Sequence, residues 1–551
     1  MPAPFLLHHL IDLSAGRTPD AESLKHRGHS LTYAQLASLQ DRVARGLELL
    51  GLERSSRVGI YLSKCHEGVA TAFGATKAGH CFVPINPVLK AAQVEHILRD
   101  CDVRVLVTSR ERYLALKETL PDCPSLRRVV LTAESCPPQP EDAKYSLGTW
   151  AEFVADEAPP TSPRMADVDM AAILYTSGST GKPKGVVISH RNLVSGAASV
   201  STYLENRADD RLLAVLPLSF DAGFSQLTTA FTVGGSAVLL DYTMPMEVLK
   251  TLARERITGL TAVPPLYIQL AELDWPEKLD EHLRYFANTG GKMPRETLAR
   301  LRARVPAAKP YLMYGLTEAF RSSFLPPAEV DRRPDSIGRA IPNQELLVLR
   351  PDGTPCEPNE PGELVHRGST VSLGYWNDPE KTAERFRLLP RRIQGLVLPE
   401  MAVFSGDTVQ MDEEGFLYFI GRNDEMLKSS GYRISPVEIE EALYSTGLVA
   451  EAAAVGLPDE RLGHRIAVIL QPREPASFSA DVLLRALQKS VPPYMVPHRV
   501  EVRQASLPRN GNGKIDRKSL LKELLDMEAA GPALAVPPEA AASVASQSRA
   551  H

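Results

Sequence analysis

Short apolar runs alternate with amphipathic stretches along roughly the first 420 residues. Residues 57–62 (RVGIYL), 103–107 (VRVLV) and 212–216 (LLAVL) are apolar, rich in branched side chains and too short for helices, so they read as strands. Between such runs, residues 33–50 and 92–101 repeat apolar positions at helical spacing, and Thr32 stands where an N-cap would open the first of these helices. This alternation predicts an α/β architecture with largely parallel sheets. No fixed-period repeat is visible. The proline-rich, polar stretches 136–145 (CPPQPEDAKY) and 158–164 (APPTSPR) predict surface connections. After an aromatic strand at 416–420 (FLYFI), the polar run Asn423-Asp424-Glu425 interrupts the pattern, and the following segment carries its own helix and strand signals. The expected organisation is a large N-terminal domain of several subdomains over 1–423 and a small, mobile α+β domain over 424–527. Residues 528–551 are rich in Ala, Pro and Ser without periodicity and predict a disordered tail.

Composition narrows the function classes. Of 551 residues, 44% are hydrophobic and 23% charged, which is ordinary globular usage and excludes a fibrous or mostly disordered chain. Lys and Arg total 62 against 67 Asp and Glu, a net charge of −5, so no global basic excess favours nucleic acid or an anionic membrane. The six cysteines are scattered and form no C-x-x-C pair, a usage that fits a reducing compartment. The N-terminus lacks a basic leader and is interrupted by His8, His9 and Asp12, and no run of 18 apolar residues occurs. A soluble, cytoplasmic protein without a nucleic-acid or membrane partner is expected. His190 and His366 have no metal-ligand spacing and read as structural.

The chemistry concentrates at 172–190, AILYTSGSTGKPKGVVISH. Two apolar runs flank a loop of glycines, hydroxyls and lysines. Gly178 and Gly181 let the backbone approach a phosphate; Thr176, Ser177, Ser179 and Thr180 add hydroxyl donors; Lys182 and Lys184 add positive charge. A Walker A loop is excluded at two places: Thr176 replaces the first glycine, and Pro183 follows Lys182 where Ser or Thr is required. The loop also joins two strands rather than opening a helix.

TSGSTGKPKG resembles the signature loop of the adenylate-forming enzymes, which include acyl-CoA synthetases, adenylation domains of nonribosomal peptide synthesis and firefly luciferase. The resemblance extends to Tyr314-Gly315-Leu316-Thr317-Glu318, to Ser405-Gly406-Asp407, to Gly421-Arg422 with Asp424, Lys428 and Gly431, and to Asn512-Gly513-Lys514, in family order over about residues 30 to 525. It implies ATP and Mg²⁺ as cofactors: a carboxylate is activated as its adenylate, and a thiol then displaces AMP. The loop Thr176, Ser177, Gly178, Ser179, Thr180, Gly181 and Lys184 would hold phosphates. Thr317 would bond the α-phosphate and Glu318 would ligate the metal. Tyr314 would face adenine, with Gly290, Gly291 and Gly315 beside the nucleotide. Asp407 would accept from the ribose and Arg422 would contact ribose or phosphate. Lys514 would be the adenylation lysine, Asp424 the hinge, and Gly431 part of the thiol tunnel.

Substrate signals lie at 216–241, where Ser219-Phe220-Asp221 resembles amino-acid adenylation domains. There the aspartate receives an α-ammonium group. The same resemblance implies a pocket of Asp221, Ala222, Ser225, Ala262, Thr289, Met313, Arg321 and Ser322. Arg321 favours a second anionic group if it points inward and is a plain surface residue if outward. Residues 425–436 (EMLKSSGYRISP) instead resemble acyl-CoA synthetases, and the wording of the chain is similar to acyl-CoA ligase-like proteins of exosortase systems. The primary expectation is a ligase that adenylates a small amino acid or polar acid and loads it onto the phosphopantetheine of a separate carrier protein. The alternatives are transfer to CoA itself and a non-catalytic nucleotide-binding protein.

Overall fold

A computed structural model describes residues 3–139, 141, 143–176, 183–389, 400–422, 426–508 and 515–529. Three sheets organise them. In the first, strands Cys81–Pro84, Arg57–Tyr61, Val103–Thr108, Arg128–Leu131 and Ser146–Thr149 run parallel, joined by helices such as His66–Lys77 and Ala91–Asp100. Beside Cys81–Pro84 lies the antiparallel pair Met170–Thr176 and Lys184–Ser189, and the short strand Gly374–Tyr375 is added at its edge. The glycine-rich segment thus joins two paired strands, as its flanking apolar runs predict.

The second sheet has two halves. Glu22–His26, Ser236–Leu239, Arg211–Ala214, Gly259–Ala262, Tyr285–Asn288 and Lys309–Tyr314 are parallel. Beyond Tyr314 the partners Ser323–Leu325, Ser336–Ala340, Leu417–Arg422, Met401–Met411, Gly362–Gly368 and Gln344–Leu349 are antiparallel. The expectation of largely parallel sheets therefore holds only where helical crossovers separate the strands. Past Tyr314 no α-helix lies between successive strands until Pro379–Arg385, and short returns favour antiparallel pairing. Helices His66–Lys77 and Asp221–Val233 pack between the first two sheets, where Phe73 lies 5.8 Å from Phe224 and 5.5 Å from Phe231.

The third sheet holds Tyr432–Ile434, Leu427–Ser429, Gly463–Pro472, Val449–Asp459 and Arg499–Val502. Leu443, Leu483 and Leu487 pack on one face, and Leu520 and Leu524 of helix Arg517–Ala529 on the other. That helix includes Glu528, whose carboxylate lies 2.8 Å from Arg465. Thr32 caps helix Tyr33–Glu48 as predicted: its Oγ1 accepts from Gln35 N at 3.2 Å, and its own N–H donates to Gln35 Oε1 at 2.9 Å. All six cysteines are free. No helix of the described residues is long and apolar enough to cross a membrane.

Candidate active site

A cleft of about 260 Å³ opens where the carboxyl ends of the parallel strands meet the third sheet. Strand–helix alternation places loops at that edge, which is where ligands bind in open α/β sheets. Thr176, Asp221, Thr289, Gly290, Gly315, Thr317, Arg321 and Asp407 line it, joined by Lys428, Gly431 and Tyr432 of the third sheet. Residues far apart in the chain therefore share one space, as the family resemblance implies.

Strand Lys309–Tyr314 delivers the next turn to the floor of the cleft. Its end is followed by Gly315, Leu316 and the tight turn Thr317–Ala319. Glu318 is buried, and its Oε1 accepts the Tyr375 hydroxyl at 2.7 Å. The Ser372 N–H donates to the Glu318 carbonyl at 2.9 Å, so this turn is fixed from both its side chain and its backbone. Lys184 opens the second strand of the glycine-rich hairpin, with Nζ 5.4 Å from the centre of the Tyr375 ring and 3.9 Å from Asp378 Oδ2. Burial lowers the pKa of its ammonium, and Asp378 opposes that shift. Tyr375 thus touches both the lysine of the hairpin and the carboxylate expected to ligate metal. A single carboxylate is the donor set that Mg²⁺ takes from a protein, one or two carboxylates with the rest of its shell water. Among the described residues no group of three or more His, Cys, Asp or Glu could hold a metal by itself.

The residues expected to meet the ribose come from the antiparallel half of the second sheet. Asp407 and Arg422 are register partners on neighbouring strands, and the Tyr314 hydroxyl donates to Asp407. Asp407 is buried yet faces the cleft. Tyr314 lies nearly parallel to His366, with ring centres 6.5 Å apart. Gly290 has φ of +76°, a backbone that favours glycine, and Gly291 O accepts from Asn288 Nδ2 at 2.8 Å.

Asp221 opens helix Asp221–Val233 and is buried. Burial raises the pKa of its carboxyl; Arg321, the Ala222 N–H donated to it at 2.6 Å and the Thr317 hydroxyl oppose that shift, while nearby Glu318 adds to it. Arg321 points inward: it is only 4% exposed, and its Nη1 donates to Thr289 Oγ1 at 3.3 Å. A much smaller cavity behind it is lined by Arg321, Ser225 and Met313. Ala222 and Ala262 are buried in the neighbouring apolar core, and Ser322 is fully buried; none of the three lines either cavity. Of the eight expected residues, Asp221, Thr289 and Arg321 line the cleft, and Ser225, Met313 and Arg321 line the smaller cavity.

The third sheet reaches the cleft through the hairpin of strands Leu427–Ser429 and Tyr432–Ile434. Gly431, at φ +83°, lies so close to Val263 that an added Cβ would sit 2.9–3.1 Å from its side chain. Tyr432 stacks on Tyr494 at 3.7 Å, and Gln93 Nε2 lies 3.2 Å from Glu438 Oε1 across the junction. Ser177, Gly178, Ser179, Thr180, Gly181, Asp424 and Lys514 lie outside the described residues, as does the Arg422 side chain. Sequence patterns do not single out Tyr375 and Tyr432 as site side chains, and mark Lys428 only as a motif position without a role. Only an aromatic pair after Gly374 marks the first, and nothing local signals its contact with Glu318.

Known proteins share this organisation. A family model described as AMP-binding enzyme matches residues 11–376, and one described as AMP-binding enzyme C-terminal domain matches 438–514. The chain is 31% identical over 524 residues to indoleacetate–CoA ligase of Aromatoleum aromaticum, covering 94% of this chain and 97% of that one. It is 30% identical over 524 residues to a linear gramicidin synthase of Brevibacillus parabrevis, covering 94% of this chain but spanning only 10% of that protein. Among solved structures, o-succinylbenzoate CoA synthetase of Bacillus subtilis aligns with a TM-score of 0.77 and 26% identity, over 93% of this chain and 97% of that one.

Proposed function

Because the chain belongs to the AMP-binding enzymes and is an AMP-forming acid–thiol ligase, we propose that it adenylates a small, polar carboxylic acid and transfers the acyl group to the thiol of coenzyme A. The observation that carries this reading is the shared cleft: Thr317 and Asp407 on the nucleotide side, Asp221 and Arg321 on the substrate side, and Gly431 on the thiol side. The likeness to indoleacetate–CoA ligase over nearly the whole of both chains supports CoA as acceptor.

In this reading the first step brings an anionic carboxylate to an anionic phosphate, so the protein's contribution is neutralisation and positioning. The 176–184 segment and Thr317 hold phosphate oxygens, and Glu318, fixed by Tyr375, holds Mg²⁺, which supplies charge neutralisation when bound. Asp407 and Arg422 orient the ribose, and Lys514 bridges the carboxylate and α-phosphate. The small domain from 424 onward then turns about Asp424, withdrawing Lys514 and presenting Gly431 beside the thiol path.

A second reading has its own observation. Asp221 is a buried carboxylate at the cleft and suits an α-ammonium group, which favours an amino acid delivered to a carrier protein's phosphopantetheine. Carboxylate-dependent ATP–pyrophosphate exchange across matched acids and amino acids, followed by AMP release with CoA, tests both. Exchange and CoA-dependent AMP release support the proposal. Exchange without any CoA-dependent release refutes CoA as acceptor, and ATP binding without exchange for any acid refutes adenylation. Lys514→Ala abolishes exchange while retaining ATP binding.

A further inference from the structure

Arg321 is a buried cation that, among the described residues, has no carboxylate in contact. Its Nε has no hydrogen-bond partner, its one hydrogen bond is the long contact to Thr289, and it forms no salt bridge among the described residues. Asp221 feels its charge across the cleft without pairing with it. The other buried arginine among the described residues, Arg333, is paired: it contacts Glu329, Asp412 and Glu414. A guanidinium held out of water without a paired anion is costly, and the cost is recovered when a ligand brings the anion.

Three features show that the protein builds this position toward the cleft. Arg321 sits at φ +123°, a backbone conformation that side-chain-bearing residues rarely adopt, so the chain is strained to turn this residue inward. It stands between the main cleft and the small cavity behind it, lining both. Ser225 Oγ, buried and lining the small cavity with Arg321, also lacks a hydrogen-bond partner. It is a hydroxyl of the kind that completes the coordination of an anion.

We infer that the substrate carries a second anionic group, a carboxylate distal to the one adenylated, and that Arg321 is the residue that selects it. The inference rests on the adenylation reading above and narrows its substrate to short dicarboxylic acids, with or without an amino group. The guanidinium takes the distal carboxylate through its fork of donors, while the reacting carboxylate faces Thr317 and the nucleotide.

The test is pyrophosphate exchange on the full-length protein with matched pairs: succinate and succinamate, glutarate and glutaramate, aspartate and asparagine, glutamate and glutamine. The anion of a pair is expected to exceed its amide by on the order of 100-fold in kcat/KM, since a site built for a charged partner leaves its own polar groups unmatched with the wrong one. Arg321→Met removes that preference, mainly through KM for the acid, with ATP binding and Tm measured alongside. Arg321→Lys retains part of it, which a purely structural arginine would not predict. Equal use of anion and amide, or preference for the amide, overturns the inference and leaves adenylation standing. Loss of ATP binding in both variants overturns the selective role of Arg321. No exchange with any acid overturns the adenylation reading and this inference with it.

Discussion

Gly431→Ala separates the two half-reactions. The added methyl carries two penalties of different kinds. The first is conformational: φ of +83° costs an alanine about 1–2 kcal/mol wherever the hairpin sits. That penalty is the same whether the small domain is docked at the cleft or turned away, so it lowers stability without shifting the domain equilibrium. The second penalty exists only when docked. The methyl would stand 2.9 Å from Val263 Cγ1, closer than real Cβ atoms approach, and 3.0 Å from Cβ and 3.1 Å from Cγ2, tighter than most do. Overpacking on this scale costs about 1–3 kcal/mol, which corresponds to roughly a 5- to 150-fold loss of the docked arrangement. Under the proposed cycle this arrangement serves thiol attack. Gly431→Ala is expected to slow CoA-dependent decay of preformed acyl-adenylate by that factor in a single-turnover assay. Pyrophosphate exchange should change by less than about twofold, because the backbone penalty cancels between the two domain positions. Val263→Ala removes two of the three atoms that crowd the methyl, leaving Cβ, and should restore part of the rate in the double variant. Equal loss in both half-reactions, or no rescue by Val263→Ala, refutes the reasoning.

Other consequences are as direct. Tyr375→Phe deletes the hydroxyl bonded to Glu318 at 2.7 Å; hydrogen bonds to charged groups are worth about 1.5–3 kcal/mol, so exchange should fall about tenfold or more with a raised Mg²⁺ requirement, and an unchanged Mg²⁺ titration would contradict the assignment. Burial holds His190 and His366 neutral, each lowered from 6.5 to about 4. The unfolded chain therefore binds these protons more readily than the folded one. Stability present above pH 6.5 is lost as pH falls toward about 4, at up to about 1.4 kcal/mol per pH unit for each histidine. Urea unfolding at pH 7 and pH 5 measures that slope, and His366→Gln should flatten it by one histidine's share.

Much of this protein is legible in the chain itself, because the relevant signals are local. Thr32 and Gln35 are three residues apart, so a capping box can be read from spacing alone. The apolar runs around the glycine-rich segment mark two strands because alternation and length are properties of a few consecutive residues. Order and spacing of the family motifs likewise point to Thr317, Glu318, Asp407 and Asp221; three of these line the cleft, while Glu318 is buried in the turn beside them. Pairing direction is less legible: the strands beyond Tyr314 carry the same apolar signal as those before it, and only their connections make them antiparallel.

What tertiary structure alone decided are relations between residues far apart in the chain. Tyr375 reaches Glu318 across 57 positions because strand Gly374–Tyr375 joins the edge of a different sheet. Gly431 meets Val263 only because a separate sheet faces the cleft. Arg321 reads equally well as a surface or a pocket residue from its neighbours; a positive φ, set by the turn after Thr317–Ala319, turns it inward. Sequence patterns encode propensity and periodicity within an element, whereas a buried charge acquires meaning from the groups that the fold brings around it, or leaves for a substrate to supply.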